Sequence, residues 1–198
     1  MDESVQRAMQ KWPAVPRVYG WLELDRRGQW LVKSRSGGFD RIRNAGLTRF
    51  IGRNYACDED GCWFFQNGPQ RVFVSLHYAP WVYRLSDRSD CLVTHTDLAV
   101  TRLQGLYLDE NGSLLGHSEA GVGLVLDRDL PALLERLQSE NAGLCDDEAL
   151  LALASGPRPA SVQLFGAAVP FSAVRSEELP QRFGFVPRRR PRAGEPEC

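Results

Sequence analysis

Four side chains in this 198-residue chain have types and spacings suited to metal or thiol chemistry: Cys57, Cys62, Cys91 and His95. Cys57 and Cys62 flank a four-residue turn and can face each other across a hairpin, and Cys91-x3-His95 can add a second pair. Zinc accepts three thiolates and one imidazole in a tetrahedron. The C-x4-C spacing is wider than the usual knuckle and the two halves lie far apart, so buried thiols with no ligand role are the competing expectation. A cysteine nucleophile needs its pKa lowered by a neighbouring base or a helix N-terminus. Only Cys145 precedes a convincing helix start, and Asp146 and Asp147 there would raise its pKa. The G-x-S-x-G elbow, H-E-x-x-H, the phosphate loop and the dinucleotide fingerprint are missing. The expectation is a protein with no catalytic residues and no cofactor. The alternative is a metal- or thiol-dependent enzyme using Cys57, Cys62, Cys91 and His95.

A second set of residues is polar and aromatic: Arg49, Arg53, Asn54, Tyr55, Gln66, Asn67, Gln70, Arg71, His77, Tyr78 and Trp81. Arg49 and Arg53 are one helical turn apart, so both guanidinium groups can point the same way and meet carboxylate or phosphate groups bidentately. Tyr78 and Trp81 offer flat apolar surface with a polar edge. The expected site is a surface around the 44–55 helix and the 66–81 hairpin. In it Arg53 and Arg71 supply charge, Asn54, Gln66 and His77 supply hydrogen bonds, and Tyr78 and Trp81 supply stacking. Its partner is a small anionic ligand or another protein. The ordinary alternative makes Trp63, Phe65 and Trp81 core residues, the arginines a solvated helix face and His77 a structural histidine.

Composition narrows the setting. The 24 Lys and Arg against 25 Asp and Glu leave a formal charge of −1, which argues against a dedicated nucleic-acid binder. The basic run Arg188-Arg189-Arg190-Pro191-Arg192 is proline-broken and followed by two glutamates, so it would hold a polyanion weakly. Apolar runs fall short of the roughly 18 residues that span a membrane. The opening residues carry no apolar signal stretch and the cysteine count of five is odd, so the expected location is the cytoplasm with reduced thiols. Arginine replaces lysine nearly everywhere, Lys11 and Lys33 being the two lysines, which suggests a GC-rich bacterial genome.

The elements that must position these residues follow from patterning. Ser4 is a candidate cap for a short helix with Val5 and Met9 on one face, ended by Pro13. Strands over Val18–Leu24 and Gln29–Lys33 are joined by Asp25-Arg26-Arg27-Gly28, in which Asp bonds the following backbone and Gly takes positive φ. Asn44 opens a helix with Leu47, Phe50, Ile51 and Asn54 on one stripe, read as a core face. Asp58-Glu59-Asp60-Gly61 repeats the turn, Asn67-Gly68 marks a hairpin, and Trp81, Tyr83 and Leu85 alternate on the next strand. Asp109-Glu110-Asn111-Gly112 is a third such turn. Asp129 is expected to cap a helix with Leu130, Leu133, Leu134 and Leu137 on one stripe, a second short helix follows Asp146-Asp147, and Val162–Phe165 and Phe171–Val174 read as short strands.

The unit apolar-Asp-x-x-Gly-x-Trp/Leu thus occurs at Leu24–Trp30, Cys57–Trp63 and Leu108–Leu114. It reads either as three ordinary hairpins or as a duplicated hairpin–helix unit. Neither makes a calcium loop, which needs acids at alternate positions and a bidentate Glu at its twelfth. The fold class expected is α+β, with repeated β-hairpin/helix units forming antiparallel sheets and short helices in the C-terminal third. It covers one domain over residues 1–175, divisible near residue 86 into sub-units of about 15–86 and 87–175, with a disordered tail over 187–198.

Gly28-Gln29-Trp30 in the first hairpin, the helix with Leu47 and Phe50, Asp60-Gly61-Cys62-Trp63, Gly68-Pro69-Gln70-Arg71-Val72 and Tyr78-Ala79-Pro80-Trp81 carry a resemblance. Over residues 21–85, and out to about 117 with the third hairpin, the chain resembles a proteobacterial family catalogued as domain of unknown function 1285. The resemblance implies an α+β fold of repeated hairpin–helix units and a regulatory or binding role, including signal transduction, with no catalytic residue to carry over. Gln70 stands where that family tends to carry Glu, and His77-Tyr78 where it tends to carry an acidic pair. These departures leave open a related but separate uncharacterised family.

Overall fold

The computed structural model describes residues 1–12, 15, 17–88, 90–139 and 160–191. They form two compact units, Met1–Pro80 together with Gly184–Cys198, and Trp81–Phe183. The first unit is therefore discontinuous in sequence, its boundary falling at Pro80 and its last segment returning from the C-terminal end.

The first unit contains α1 (Glu3–Lys11), β1 (Val18–Leu24), β2 (Trp30–Lys33), β3 (Phe39–Arg41), α2 (Ala45–Arg53), β4 (Tyr55–Cys57), β5 (Trp63–Asn67) and β6 (Gln70–Leu76). Its sheet runs β3-β2-β1-β6-β5-β4. Two three-stranded antiparallel meanders, separated in sequence by α2, join through one parallel pairing in which Leu22 faces Val74 and Leu24 faces Leu76. Side chains alternate across the sheet. One face carries Tyr19, Cys62, Phe64 and Phe73, with the Tyr19 and Phe73 rings stacked at 5.0 Å. The other carries Val18, Leu22, Val32, Phe65 and Val72 under Ile51 of α2.

The second unit contains β7 (Trp81–Leu85), β8 (Leu92–Thr94), β9 (Leu103–Leu108), β10 (Leu114–Ser118), β11 (Gly121–Val125), α3 (Leu130–Leu134), β12 (Gln138–Ser139), β13 (Ala160–Leu164), β14 (Ala167–Ala173) and α4 (Leu179–Phe183). Its sheet runs β12-β13-β14-β9-β10-β11-β7-β8. The hairpins are antiparallel, and parallel pairings join β11 to β7 and β14 to β9. Both sheets are thus mixed, not antiparallel as the hairpins alone suggest. The same rule generates each join: the first strand of one meander accepts the last strand of the next, as in β1 with β6, β7 with β11 and β9 with β14. Parallel neighbours need a long crossover, and an intervening meander supplies one.

The repeated turns have one geometry. The Asp25 carboxylate accepts from the N–H groups of Arg27 and Gln29 at 2.9 and 2.7 Å. Asp58 accepts from Asp60 and Cys62 at 3.1 and 2.8 Å, and Asp109 from Asn111 and Ser113 at 2.9 and 2.6 Å. Gly28, Gly61 and Gly112 close the turns at φ of 73, 78 and 76°, a region L-residues avoid. Each turn opens its meander, so the recurrence is architectural as well as local. A fourth copy is hidden from a residue-type search. Thr94 accepts through Oγ1 from the N–H groups of Thr96 and Leu98 at 3.3 and 3.0 Å, and Asp97 takes the glycine's place at φ 66°.

Several expectations are corrected. Helix α1 is flanked by Asp2, two residues before Ser4. Asp129 makes no side-chain cap; its carboxylate accepts from the Leu85 N–H at 3.0 Å. The expected tail does not begin at Pro187. The Leu76 N–H donates to the Pro187 carbonyl at 2.7 Å, and the Val186 N–H donates to the Gly61 carbonyl at 2.9 Å, so main-chain groups of β6 and of the β4–β5 turn tie this segment down without any apolar pattern. The helix expected after Asp146-Asp147, Cys145, Cys198 and the end of the tail lie outside the described residues.

Candidate functional site

The expected polar surface is largely committed to internal contacts. Arg53 reaches Asp2 with Nε at 3.2 Å from Oδ1. Asn54 is fully buried; its Oδ1 accepts from the Asp2 N–H at 2.8 Å, and its Nδ2 donates to the Phe50 carbonyl at 2.9 Å and to Asp2 Oδ2 at 3.3 Å. Both residues thus hold the N-terminal helix on the end of α2. His77 Nε2 lies 2.8 Å from Glu23 Oε2, and the Arg26 guanidinium sits 4.1 Å above the Tyr78 ring. Arg71 lies 4.0 Å over Phe64 and 3.8 Å from Asp58. Buried Gln66 donates to the Gly68 carbonyl at 2.9 Å. Tyr55 donates its hydroxyl to the Pro80 carbonyl at 3.0 Å.

The structure does not assemble these residues into one surface. Gln70 and Arg71 are consecutive on β6 and face opposite sides of the sheet. Trp81 belongs to the second unit, where its indole donates to the Ala120 carbonyl at 2.7 Å and packs 5.5 Å from His95. Arg41, Arg43 and Arg49 are exposed. Of the expected ligand residues, Gln70 and its cross-strand partner Asn67 line a cavity with apolar walls.

That cavity, of about 380 Å³, lies between the sheet and α2. Its walls are Val18, Leu22, Val32, Ile42, Ile51, Phe65 and Val72, and Asn67 and Gln70 supply its amides. Two lining residues are unusual in their exposure: Trp21 at 45% and Leu47 at 42%. Gly20 explains the first. At φ 66° it allows a bulge in β1, so the four-residue step from Val18 to Leu22 matches a two-residue step from Val72 to Val74 on β6, and Trp21 is pushed out of the ladder. Leu47 stands on the apolar stripe of α2, but it overlooks the cavity where a core residue would be covered. Its stripe position was legible in the sequence; the bulge was not, beyond the lone glycine inside a strand pattern.

Comparison with known proteins comes down to two findings. The family DUF2944, described as "Protein of unknown function (DUF2946)", matches residues 1–192. This chain belongs to that family. In fold, the DUF2944 chain is similar to a crystal structure of a DUF1285 family protein from Silicibacter pomeroyi DSS-3, at a TM-score of 0.51 and 13% identity, covering 82% of this chain and 85% of that one. A search of curated proteins finds no match. The resemblance carried by the hairpin residues is therefore a likeness of fold between separately catalogued uncharacterised families.

The cysteine alternative finds no support in the geometry of the DUF2944 chain. Cys57 and Cys62 lie in the first unit, Cys91 and His95 in the second, and among the described residues no three His, Cys, Asp or Glu are grouped to hold a metal ion. Burial, with Asp58 and then Cys62 adding to it, pushes the Cys57 thiol up to about 11. Burial and Asp58 also raise Cys62, against the opposing pull of Arg189, whose Nη1 lies 3.5 Å from the sulfur. Both shifts run opposite to what a reactive thiolate requires. His95 Nδ1 accepts from the Val82 N–H at 3.3 Å, and burial drives its pKa down to about 3. Among the described residues no helix is long and apolar enough to cross a membrane.

Proposed function

We propose that this chain is a non-catalytic binding module and that the cavity beneath α2 is its ligand site. The observation that carries the reading is an apolar cavity of about 380 Å³ flanked by exposed Trp21 and Leu47. Small-molecule sites are concave and mainly apolar, with a few polar groups that fix orientation. Here those groups are the Asn67 and Gln70 amides, so the ligand is a compact molecule with an apolar body and a hydrogen-bonding end. An anionic group would find Arg53 already paired with Asp2 and Arg71 placed on the opposite face from Gln70. The setting proposed is the bacterial cytoplasm, which the free thiols of Cys57, Cys62 and Cys91 and the preference for arginine support.

A neutral fluorescent probe, N-phenyl-1-naphthylamine, tests the reading. Its emission should rise on adding the native chain, and Val72→Trp, which fills the cavity from β6, should weaken binding at least about tenfold, the cost of losing a well-packed apolar group. Equal binding by the two proteins would sink the assignment. The exposure of Trp21 favours one second reading, a protein partner that seats an apolar side chain in the cavity. Under it, Trp21→Ser abolishes partner capture, and Val72→Trp does the same.

A further inference from the structure

The second unit carries a different cleft, in a place where its sheet comes apart. β14 pairs with β9 only from Phe171 with Leu106 to Ala173 with Leu108. Continued backwards, that register would set Pro170 against Gly105, but proline has no N–H to give the ladder. Beyond it the two chains separate, and a cleft of about 590 Å³ opens between residues 167–170 on one side and residues 100–104 on the other. Leu103, Ala167, Ala168 and Pro170 give it apolar surface, while Thr101, Arg102 and Gln104 make its lining as polar as it is apolar. Phe165 completes the apolar surface from a two-residue turn in which it holds φ 51° and Gly166 φ 77°. A bulky side chain in the left-handed region is uncommon, and such strain gathers at binding sites.

The charges of the cleft are sorted. Asp90 accepts from the Ser86 hydroxyl at 2.8 Å, which holds its carboxyl below the usual carboxylate range, so it stays anionic at one end of the lining. Arg102 is exposed, and its guanidinium forms no ion pair among the described residues, while its main chain is fixed in place. Glu119 accepts from the Thr101 N–H and hydroxyl at 2.8 and 2.7 Å and from the Arg102 N–H at 3.2 Å. The cleft therefore presents one cation without an ion pair among the described residues, on a fixed main chain, beside walls that are part polar and part apolar. Guanidinium groups meet carboxylates bidentately.

We propose that this cleft is a ligand site separate from the cavity under α2, taking a monocarboxylate with an apolar body whose carboxylate pairs with Arg102. Cys91 lines the cleft and is half-buried, which supplies a local reporter. In a chain carrying Cys57→Ser, Cys145→Ser and Cys198→Ser, the thiols left are Cys91 and the fully buried Cys62. Decanoate, kept below its micelle-forming concentration, should slow Cys91 labelling by a thiol reagent. Decanol should need a concentration at least about tenfold higher, and Arg102→Gln should erase the difference, as expected for loss of a charge-assisted hydrogen bond. Calorimetric titration of the unaltered chain and of its Arg102→Gln variant with decanoate repeats the comparison without cysteine changes. Unchanged labelling, equal action of decanoate and decanol, or full affinity in Arg102→Gln would each overturn the proposal. Cys91 does not line the α2 cavity, so binding there leaves the labelling rate untouched and the two assignments fail separately.

Discussion

Gly61 and Gly184 meet backbone to backbone: a Cβ placed on Gly61 would stand 2.4 Å from the Gly184 carbonyl oxygen. The contact fastens the C-terminal segment to the second Asp-x-x-Gly turn. Gly112 closes the equivalent turn at nearly the same φ with nothing within 4 Å of its would-be Cβ. Gly112→Ala should therefore cost the left-handed penalty alone, about 1–2 kcal/mol. Gly61→Ala adds a backbone clash that no rotamer can relieve, a further 1–3 kcal/mol or so on the scale of overpacked cores. Urea midpoints of the two variants measure the difference. Deleting residues 184–198 should bring the two penalties together.

Asn54 is a structural residue by its contacts, although its type and place suggested a ligand contact. Asn54→Ala removes the acceptor for the Asp2 N–H and two donated hydrogen bonds inside a fully buried site. A loss of about 1–3 kcal/mol in stability is expected, with faster hydrogen exchange in α1 than in β1. Unchanged exchange in α1 would contradict the anchoring role.

The turn aspartates should rank by burial. Asp109 is 5% exposed and satisfies two main-chain N–H groups, so Asp109→Ala should cost about 1–2 kcal/mol, the scale of a lost side-chain cap. Asp25→Ala, in the same geometry at a more open turn, should cost less because water can replace the carboxylate. Thermal unfolding of the pair decides the order.

His95 makes stability depend on pH with a definite sign. Burial lowers its pKa to about 3, below the ordinary 6.5. The unfolded chain therefore binds the extra proton first, and stability falls as pH drops from about 6.5 toward 3, by up to roughly 1.4 kcal/mol per pH unit. His95→Asn, which retains an acceptor for the Val82 N–H, should be less stable at pH 7 and show a flatter profile between pH 6.5 and 4. An unaltered slope would remove His95 as its source.

The periodic and turn-forming parts of this protein were legible from residues alone, because local chemistry specifies them. Aspartate and glycine at fixed spacing impose the same four-residue turn three times, and alternating apolar residues on β6 require a two-faced strand. The fourth turn escaped because Thr94 and Asp97 perform the same geometry with other residue types. What the tertiary structure decided is partnership. Arg53 and Asn54 have the composition of a recognition surface, yet Asp2, over fifty residues away in sequence, occupies them. Gln70 and Arg71 are neighbours in the chain and lie on opposite faces of the sheet, so they cannot grip one ligand. The mixed sheets, the bulge that exposes Trp21 and the opening at Pro170 arise where strands distant in sequence pair or fail to pair. No local pattern encodes such a meeting, because its energy belongs to both segments together.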